Sequence, residues 1–334
     1  MDKITTVGID LAKNVFSIHA VDERGRVVLR KTVSRARLME VVASLSPCLI
    51  GLEACSGAHE WARRFQALGH TVRIMAAKFV VPYRQSGKND GNDAEAICEA
   101  VGRPKTRFIP VKSVEQQAML SLHRVRQGFV EERTATINRI RGLLAEFGMV
   151  LPQKVNQLKR GMAAALEGLP VLAKRALEDL REHLALLESR IAHYDRELTF
   201  MARADERARR LTALSGVGPI TALAAIATVG QAHEFRNGRQ FAAWLGMVPR
   251  QWSTGGKTRL GPITRRGDPY LRTLFILGAR AVLRAAAQRT DRISRWALAL
   301  KARRGYHKAC VAIAAKNARI VWALLAKGEQ YRAA

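Results

Sequence analysis

Two aspartates three residues apart, Asp90 and Asp93, sit in the stretch Lys88-Asn89-Asp90-Gly91-Asn92-Asp93, just before the apolar-periodic residues Ala94, Ile97, Ala100 and Val101. On the first turn of a helix, positions three apart share a face, so the two carboxylates could point together at one cation. Asn, Asp and Gly also begin helices, and an N-capped surface helix is the plainer reading of the same residues. Two further acids each end an apolar, β-prone run: Asp10 follows Val7-Gly8-Ile9, and Glu53 follows Leu49-Ile50-Gly51-Leu52. In open α/β sheets functional groups collect at the C-terminal ends of strands, although a structural capping role stays open for either acid. Four carboxylates at one sheet edge would repel strongly unless divalent cations neutralised them. Oxygen-only ligands favour Mg²⁺ or Mn²⁺, and two such ions clamping a phosphodiester is the usual purpose of that arrangement.

A second candidate lies far along the chain. The run Pro249-Arg250-Gln251-Trp252-Ser253-Thr254-Gly255-Gly256-Lys257-Thr258-Arg259-Leu260-Gly261 continues to Arg265-Arg266-Gly267-Asp268. It joins the adjacent hydroxyls Ser253 and Thr254 to flexible glycines and to five basic residues: Arg250, Lys257, Arg259, Arg265 and Arg266. One reading is a solvated basic loop on DNA phosphates. The other is a hydroxyl nucleophile whose attack on phosphate those cations stabilise. No His or carboxylate base stands nearby, so activation would have to come from elsewhere. Ser215-Gly216-Val217-Gly218-Pro219 opens a small-residue helix from Ile220 to Val229, with Pro219 suited to the first helical position. Backbone N–H groups at such a start can hold a phosphate, which makes Gly216 and Gly218 nucleic-acid candidates. Plain capping is the alternative. Phe241 and Trp244 read as core rather than as a stacking platform.

The elements that must position these residues are legible from periodicity. Residues 4–9, 15–21 and 27–33 are β-prone, with Asp22-Glu23-Arg24-Gly25 as a hairpin turn. Helical period over 34–45, a strand at 48–53, a helix over 57–68 and a strand at 71–75 complete a mixed α/β sheet. Ser113-Val114-Glu115-Gln116 is a capping-box sequence, opening a long helix to about Phe147 that carries Arg124, Arg126, Arg133, Arg139 and Arg141. A Lys-rich loop follows, then a second long helix from about Val171 to Leu211. Its apolar positions Leu177, Leu180, Leu184, Leu187, Ile191, Tyr194, Leu198 and Met201 form a heptad seam. That seam could pair the two helices within one chain or join subunits. The expected organisation is an α/β domain over 1–110, a coiled-coil helical arm over 111–210, and a mainly α-helical domain over 211–334.

The totals restrict the partners. The chain has 56 Lys+Arg against 28 Asp+Glu, a net charge of +28. Such an excess makes sense mainly if a polyanion neutralises it, and nucleic acid leads. From Arg250 onward nineteen Lys/Arg stand against three acids. Helices with one buried and one basic face supply backbone affinity that weakens with salt, without base-reading specificity. No membrane anchor or apolar run of spanning length is expected. With no signal peptide and four scattered cysteines (Cys48, Cys55, Cys98, Cys310), the chain reads as cytoplasmic, reduced and free of structural zinc.

Val7-Gly8-Ile9-Asp10, Gly51-Leu52-Glu53 and Asn89-Asp90-Gly91-Asn92-Asp93 resemble the D-E-D-D set of RNase H-like, Holliday-junction-resolvase-type nuclease domains. With Ser253-Thr254-Gly255-Gly256-Lys257 and the later Arg266-Gly267-Asp268, nearly the whole chain is similar to the DEDD transposases of bacterial insertion sequences, in the bridge-RNA-guided recombinase group. The resemblance implies an RNase H-like nuclease domain and a C-terminal serine domain that cut and rejoin DNA at element ends and target. It assigns Mg²⁺ to Asp10, Glu53, Asp90 and Asp93. It makes Ser253 the nucleophile that forms a phosphoserine–DNA intermediate, with Thr254 as the neighbouring alternative. It further implies a guide non-coding RNA, a homo-oligomer (dimer or tetramer) with a site shared between subunits, a helical arm serving assembly and RNA contact, and a bacterial, nucleoid-associated setting. Two other readings remain: a metal-dependent, structure-specific endonuclease with water as nucleophile, and a non-catalytic architectural nucleic-acid binder indifferent to Mg²⁺.

Overall fold

A computed structural model of the chain describes residues 3–85, 87 and 89–331; Lys88, at the head of the acidic stretch, lies outside them. The chain divides into two compact units, Met1–Ser113 and Val114–Ala334.

In the first unit β1 (Thr6–Leu11), β2 (Val15–Val21) and β3 (Val27–Ser34) form an antiparallel meander. Helix α1 (Leu38–Ala43) leads to β4 (Leu49–Glu53), which lies parallel to β1. After α2 (Ala58–Ala67), strand β5 (Thr71–Met75) runs parallel to β4. A short α3 (Ala77–Val80) and a 3₁₀ turn then precede α4 (Asp90–Val101) and the two-residue edge strand β6 (Phe108–Ile109). The sheet order is β3-β2-β1-β4-β5-β6, a mixed RNase H-like sheet, as the resemblance implied.

Alternation along the strands builds both faces. Val7 and Ile9 of β1, Ile50 and Leu52 of β4, and Val72 and Ile74 of β5 are buried with Trp61 and Phe65 of α2. The opposite residues, Gly8 and Gly51 among them, face α4, whose Ile97, Ala100 and Val101 are buried with Met75 and Val80. The expected helix over 34–45 is shorter because Ser34 is held in the ladder opposite Val15. Strand β6 is too short to show a period.

The second unit is mainly helical. Helices α5 (Val114–Glu146) and α7 (Val171–Ala204) pack along each other within the chain. Phe129 meets Tyr194 with ring centroids 5.9 Å apart, Glu132 meets His183 at 2.9 Å, and Arg126 pairs with Asp195. As positions on α5 advance, those on α7 recede, so the pair is antiparallel. Leu177, Leu184, Leu187, Ile191 and Leu198 of the expected seam are buried. The expected Lys-rich loop is instead partly α6 (Val155–Glu167), whose Leu158, Met162 and Leu166 are buried at helical spacing. The second long helix ends earlier than expected. Asp205 is extended and caps α8 (Glu206–Thr212) by accepting from the Arg207 and Ala208 amides.

Helices α9 (Pro219–Val229), α10 (Gly238–Trp244), α11 (Pro269–Ala285), α12 (Arg292–Arg304) and α13 (Tyr306–Ala326) enclose one large core around Phe241, Leu271, Phe275 and Val321. Phe241 is fully buried, as its core reading required. The length and mean hydropathy of α13 would allow it to cross a membrane, contrary to the expectation that no run would qualify; half of its apolar window is buried in this core. Between α10 and α11 a two-stranded ribbon, β7 (Pro249–Thr254) and β8 (Lys257–Ile263), replaces the expected loop.

Candidate active site

The acidic site is built by close approach. In the parallel pair β1–β4, Gly8 stands opposite Gly51 and Ile9 opposite Leu52, so the next positions along are Asp10 and Glu53. Two residues on along a strand is the same face: Gly8 with Asp10, Gly51 with Glu53. A Cβ on Gly8 would stand 2.2 Å from the Ala94 carbonyl oxygen and 2.3 Å from the Cys98 amide nitrogen of α4. A Cβ on Gly51 would meet Val101 at 2.8 Å. The two glycines therefore let α4 lie directly on the sheet. Cys98 Sγ lies 3.7 Å from the Thr6 carbonyl, at the N-terminal end of β1, while Ala94, one turn earlier, sits over Gly8, so α4 starts toward the C-terminal end of β1. Asp90 and Asp93 are thereby carried to the edge that holds Asp10 and Glu53.

The helix start is fixed by its own chemistry. Asn89, not Asp90, is the cap: its Oδ1 accepts from the Asn92 amide at 2.9 Å. Asn92 Nδ2 donates to the Gly87 carbonyl at 2.8 Å. Gly91 and Asn92 are helical residues of the first turn. The positive end of the helix dipole favours carboxylates at these positions.

The four acids act on one another electrostatically. Burial raises the Asp10 carboxyl to about 6, and the negative charges of Asp93, Asp90 and Glu53 push in the same direction. Among the described residues, however, no three acids stand close enough to hold one ion. Asp93 instead meets Arg84, Nη1 to Oδ1 at 3.1 Å. As hard oxygen donors on one edge, the four acids fit a divalent cation in kind. Their side chains would have to converge on it, with Asp93 leaving Arg84. No sequence signal pointed to Arg84.

Ser253 belongs to the second unit and lies on β7. Thr254-Gly255-Gly256-Lys257 closes the ribbon with a two-residue turn in which Gly255 and Gly256 have φ of 56° and 77°. Positive φ at both central residues is the twist-matching hairpin turn that Gly-Gly permits. Cross-strand partners share a face, and Ser253 pairs with Thr258 while Trp252 pairs with Arg259 and Thr254 with Lys257. One face thus carries Gln251, Ser253 and Thr258. Ser253 Oγ accepts from Gln251 Nε2 at 2.9 Å and lies 3.3 Å from Thr258 Oγ1. The other face carries Trp252, Thr254, Lys257 and Arg259. The strand cations and the Ser253 hydroxyl therefore point away from each other, and Thr254 is the hydroxyl on the Lys257 side. Arg265 and Arg266 stand at the root of the ribbon, where the Arg265 amide donates to the Gly246 carbonyl at 3.1 Å.

The phosphate candidates at α9 separate. Gly216 is a packing residue: a Cβ there would meet Val282 at 2.7 Å and the Gly278 carbonyl oxygen at 2.9 Å. Gly218, the α9 N-cap, has open space around it and lines a cavity of about 630 Å³ with Arg126, Arg133 and Tyr270.

Comparison with known proteins places the chain in a family. A model described as the transposase IS116/IS110/IS902 family matches residues 208–294, and a DEDD transposase model matches residues 7–149. A Pseudomonas aeruginosa protein named "Probable family 20 transposase" is 50% identical over 98% of this chain and 99% of its own length. The transposase for insertion sequence element IS1111A of Coxiella burnetii is 43% identical over 99% of this chain and 92% of its own. The transposase for insertion sequence element IS1328 of Yersinia enterocolitica is 39% identical over 98% of both. The chain belongs to the IS116/IS110/IS902 family of DEDD transposases, enzymes that cleave and join DNA.

Proposed function

We propose that this transposase breaks and rejoins strands through a serine–DNA intermediate, with Asp10, Glu53, Asp90 and Asp93 as the acidic half of the site and Ser253 as the nucleophile. The observation that carries the acidic half is the glycine pair Gly8 and Gly51, which seats α4 so that all four acids share one sheet edge. Mg²⁺ or Mn²⁺, held by these four acids, would supply charge neutralisation at a scissile phosphate. The protein's own part is to present the carboxylates and to hold Asp10 in a partly buried position, where its charge is costly until a cation shares it.

Ser253 attacks phosphorus through Oγ. The Oγ–P bond forms, the bond from phosphorus to one deoxyribose oxygen breaks, and the serine proton ends on the departing hydroxyl. Attack by a second strand's hydroxyl reverses these bonds and returns the proton to Ser253, so no external energy source is needed. Gln251 and Thr258 orient Oγ, and neither is a base at neutral pH. Lys257 and Arg259 lie on the other face of the ribbon. Proton removal and charge stabilisation are therefore supplied from outside the ribbon, which supports a site completed by a second subunit of a homo-oligomer. Thr254 is the alternative nucleophile. The net charge of +28 supports a bound guide RNA beside DNA. Sequencing nucleic acid that co-purifies with the protein tests this, and a preparation without RNA would return target choice to the protein surface.

The lack of a base beside Ser253 favours one other reading, a nuclease that uses water at the acidic edge. A suicide DNA substrate that traps cleaved ends separates the two. The serine reading expects a denaturation-resistant protein–DNA band that disappears in Ser253→Ala and Asp10→Asn. Cleavage without such a band would establish water as the nucleophile.

A further inference from the structure

The β7–β8 ribbon lacks what normally holds a hairpin. Every residue of β7 is exposed, as are most of β8, including Trp252 at 55% and Leu260 at 64%. A two-stranded ribbon on its own is marginal in water, so an indole left in solvent there calls for an explanation. Its environment is specific. Trp252 shares a face with Arg259, its cross-strand partner, and with Lys257. Its ring edge lies over Gly261, where a Cβ would come within 2.5 Å of Cζ3 and 2.8 Å of Cη2. Gly261 thus lets the ring settle along the neighbouring strand, and more than half of the residue remains open. The charge beside it suits a polyanion: among the described residues the ribbon carries Arg250, Lys257 and Arg259 and no acid.

We infer that Trp252 is a nucleobase-stacking residue, which receives a base of a DNA strand on its open face while Lys257 and Arg259 hold the flanking phosphates. Ser253, next in the chain, points to the opposite face, so a base stacked on Trp252 holds the strand beside the nucleophile without covering its hydroxyl. The inference deepens the serine reading by naming a positioning residue for the strand, but its binding step does not need Ser253 to react. An aromatic that merely covers Gly261 and stiffens the ribbon is the competing account.

The test measures binding of the full-length protein to a single-stranded oligodeoxynucleotide containing 2-aminopurine, across a salt series. Stacking on an aromatic side chain is sequence-tolerant, and its removal weakens single-strand binding by roughly 5- to 150-fold. Trp252→Ala and Trp252→Leu should both lose affinity in that range and lose aminopurine quenching, while the salt slope stays that of wild type. Trp252→Phe should retain most of both signals. Lys257→Gln should lower the slope of log affinity against log salt by about 0.7 and keep the quenching. Wild-type binding and quenching in Trp252→Leu, whose side chain still covers Gly261, would overturn the inference. So would a Trp252→Ala loss that appears as a change of salt slope. Failure of the serine reading would show in the trapped adduct, whereas the binding and quenching of the Trp252 variants do not depend on a reacting hydroxyl.

Discussion

The two halves of the proposed chemistry are made in opposite ways. At the acidic edge, α4 lies so close to β1 and β4 that two positions must be glycine, and Asp10 is raised to about 6 by burial and by its acidic neighbours. At the ribbon, the candidate nucleophile stands on exposed strands whose local order comes from one ladder and a Gly-Gly turn. The first region is fixed by packing and is costly to disturb. The second depends on what binds it. A rigid acidic edge can hold its carboxylates together against repulsion, whereas an exposed hydroxyl can be delivered to a strand only once that strand is present.

This contrast can be broken most forcefully at Gly8. Replacing it with Val places new atoms against the Ala94 carbonyl and Cys98 amide, backbone groups that cannot step aside. Gly8→Val should cost roughly 3 kcal/mol or more, seen as a large fall in melting temperature together with loss of strand cleavage. A fully stable Gly8→Val protein would mean that α4 does not sit as described. The counterpart on the ribbon is Gly255→Val. Its φ of 56° and open surroundings confine the cost to the turn, on the order of 1–2 kcal/mol. Melting of the rest of the protein should be unchanged, and adduct formation should fall. A global loss of stability in Gly255→Val would contradict the independence of the ribbon.

Asp10→Asn sharpens the account of the acidic edge because it should move stability and activity in opposite directions. The folded protein holds the Asp10 proton more tightly than the unfolded chain, with a pKa of about 6 against 3.8. The native state therefore binds more protons across that window, and stability falls as pH rises through it. Removing the charge should stabilise the metal-free protein above about pH 6 by on the order of 1 kcal/mol, after allowance for solvent screening of a half-exposed group. Strand cleavage should be lost. The remaining effect is on cation binding. A divalent ion needs Asp10 ionised, so Mn²⁺ affinity followed by electron paramagnetic resonance should weaken as pH falls below about 6, by up to tenfold per pH unit. Affinity independent of pH between about 5 and about 7 would remove Asp10 from the ion's ligands.

Much of the acidic edge was legible because its signals are local. The strands over 6–11, 49–53 and 71–75 announce themselves by β-prone runs, and Asp10 and Glu53 stand out at the ends of the first two. The glycines two residues before Asp10 and Glu53 were visible in the motifs, but their purpose was not. Only the packed helix shows that each is a contact position. Arg84 was invisible because its partnership with Asp93 depends on the path of a short helix and a 3₁₀ turn. The ribbon was read as a loop for a different reason. Its strands bury no face, so alternation of apolar and polar residues, the usual strand signal, is missing. The Gly-Gly pair between Thr254 and Lys257 was the available hint of a hairpin. Likewise, α6 was hidden behind a basic composition, although Leu158, Met162 and Leu166 keep a helical spacing.

The central claim, that Ser253 joins the DNA chain, is tested most directly by finding the bond. The protein is trapped on a suicide substrate, digested with trypsin and the DNA-linked peptide sequenced by mass spectrometry. Cleavage after Arg250 and Lys257 leaves a peptide from Gln251 to Lys257 that contains both candidate hydroxyls. The account predicts a phosphodiester remnant on Ser253. The same remnant on Thr254, on the Lys257 face of the ribbon, or cleaved DNA with no modified peptide at all, would contradict it.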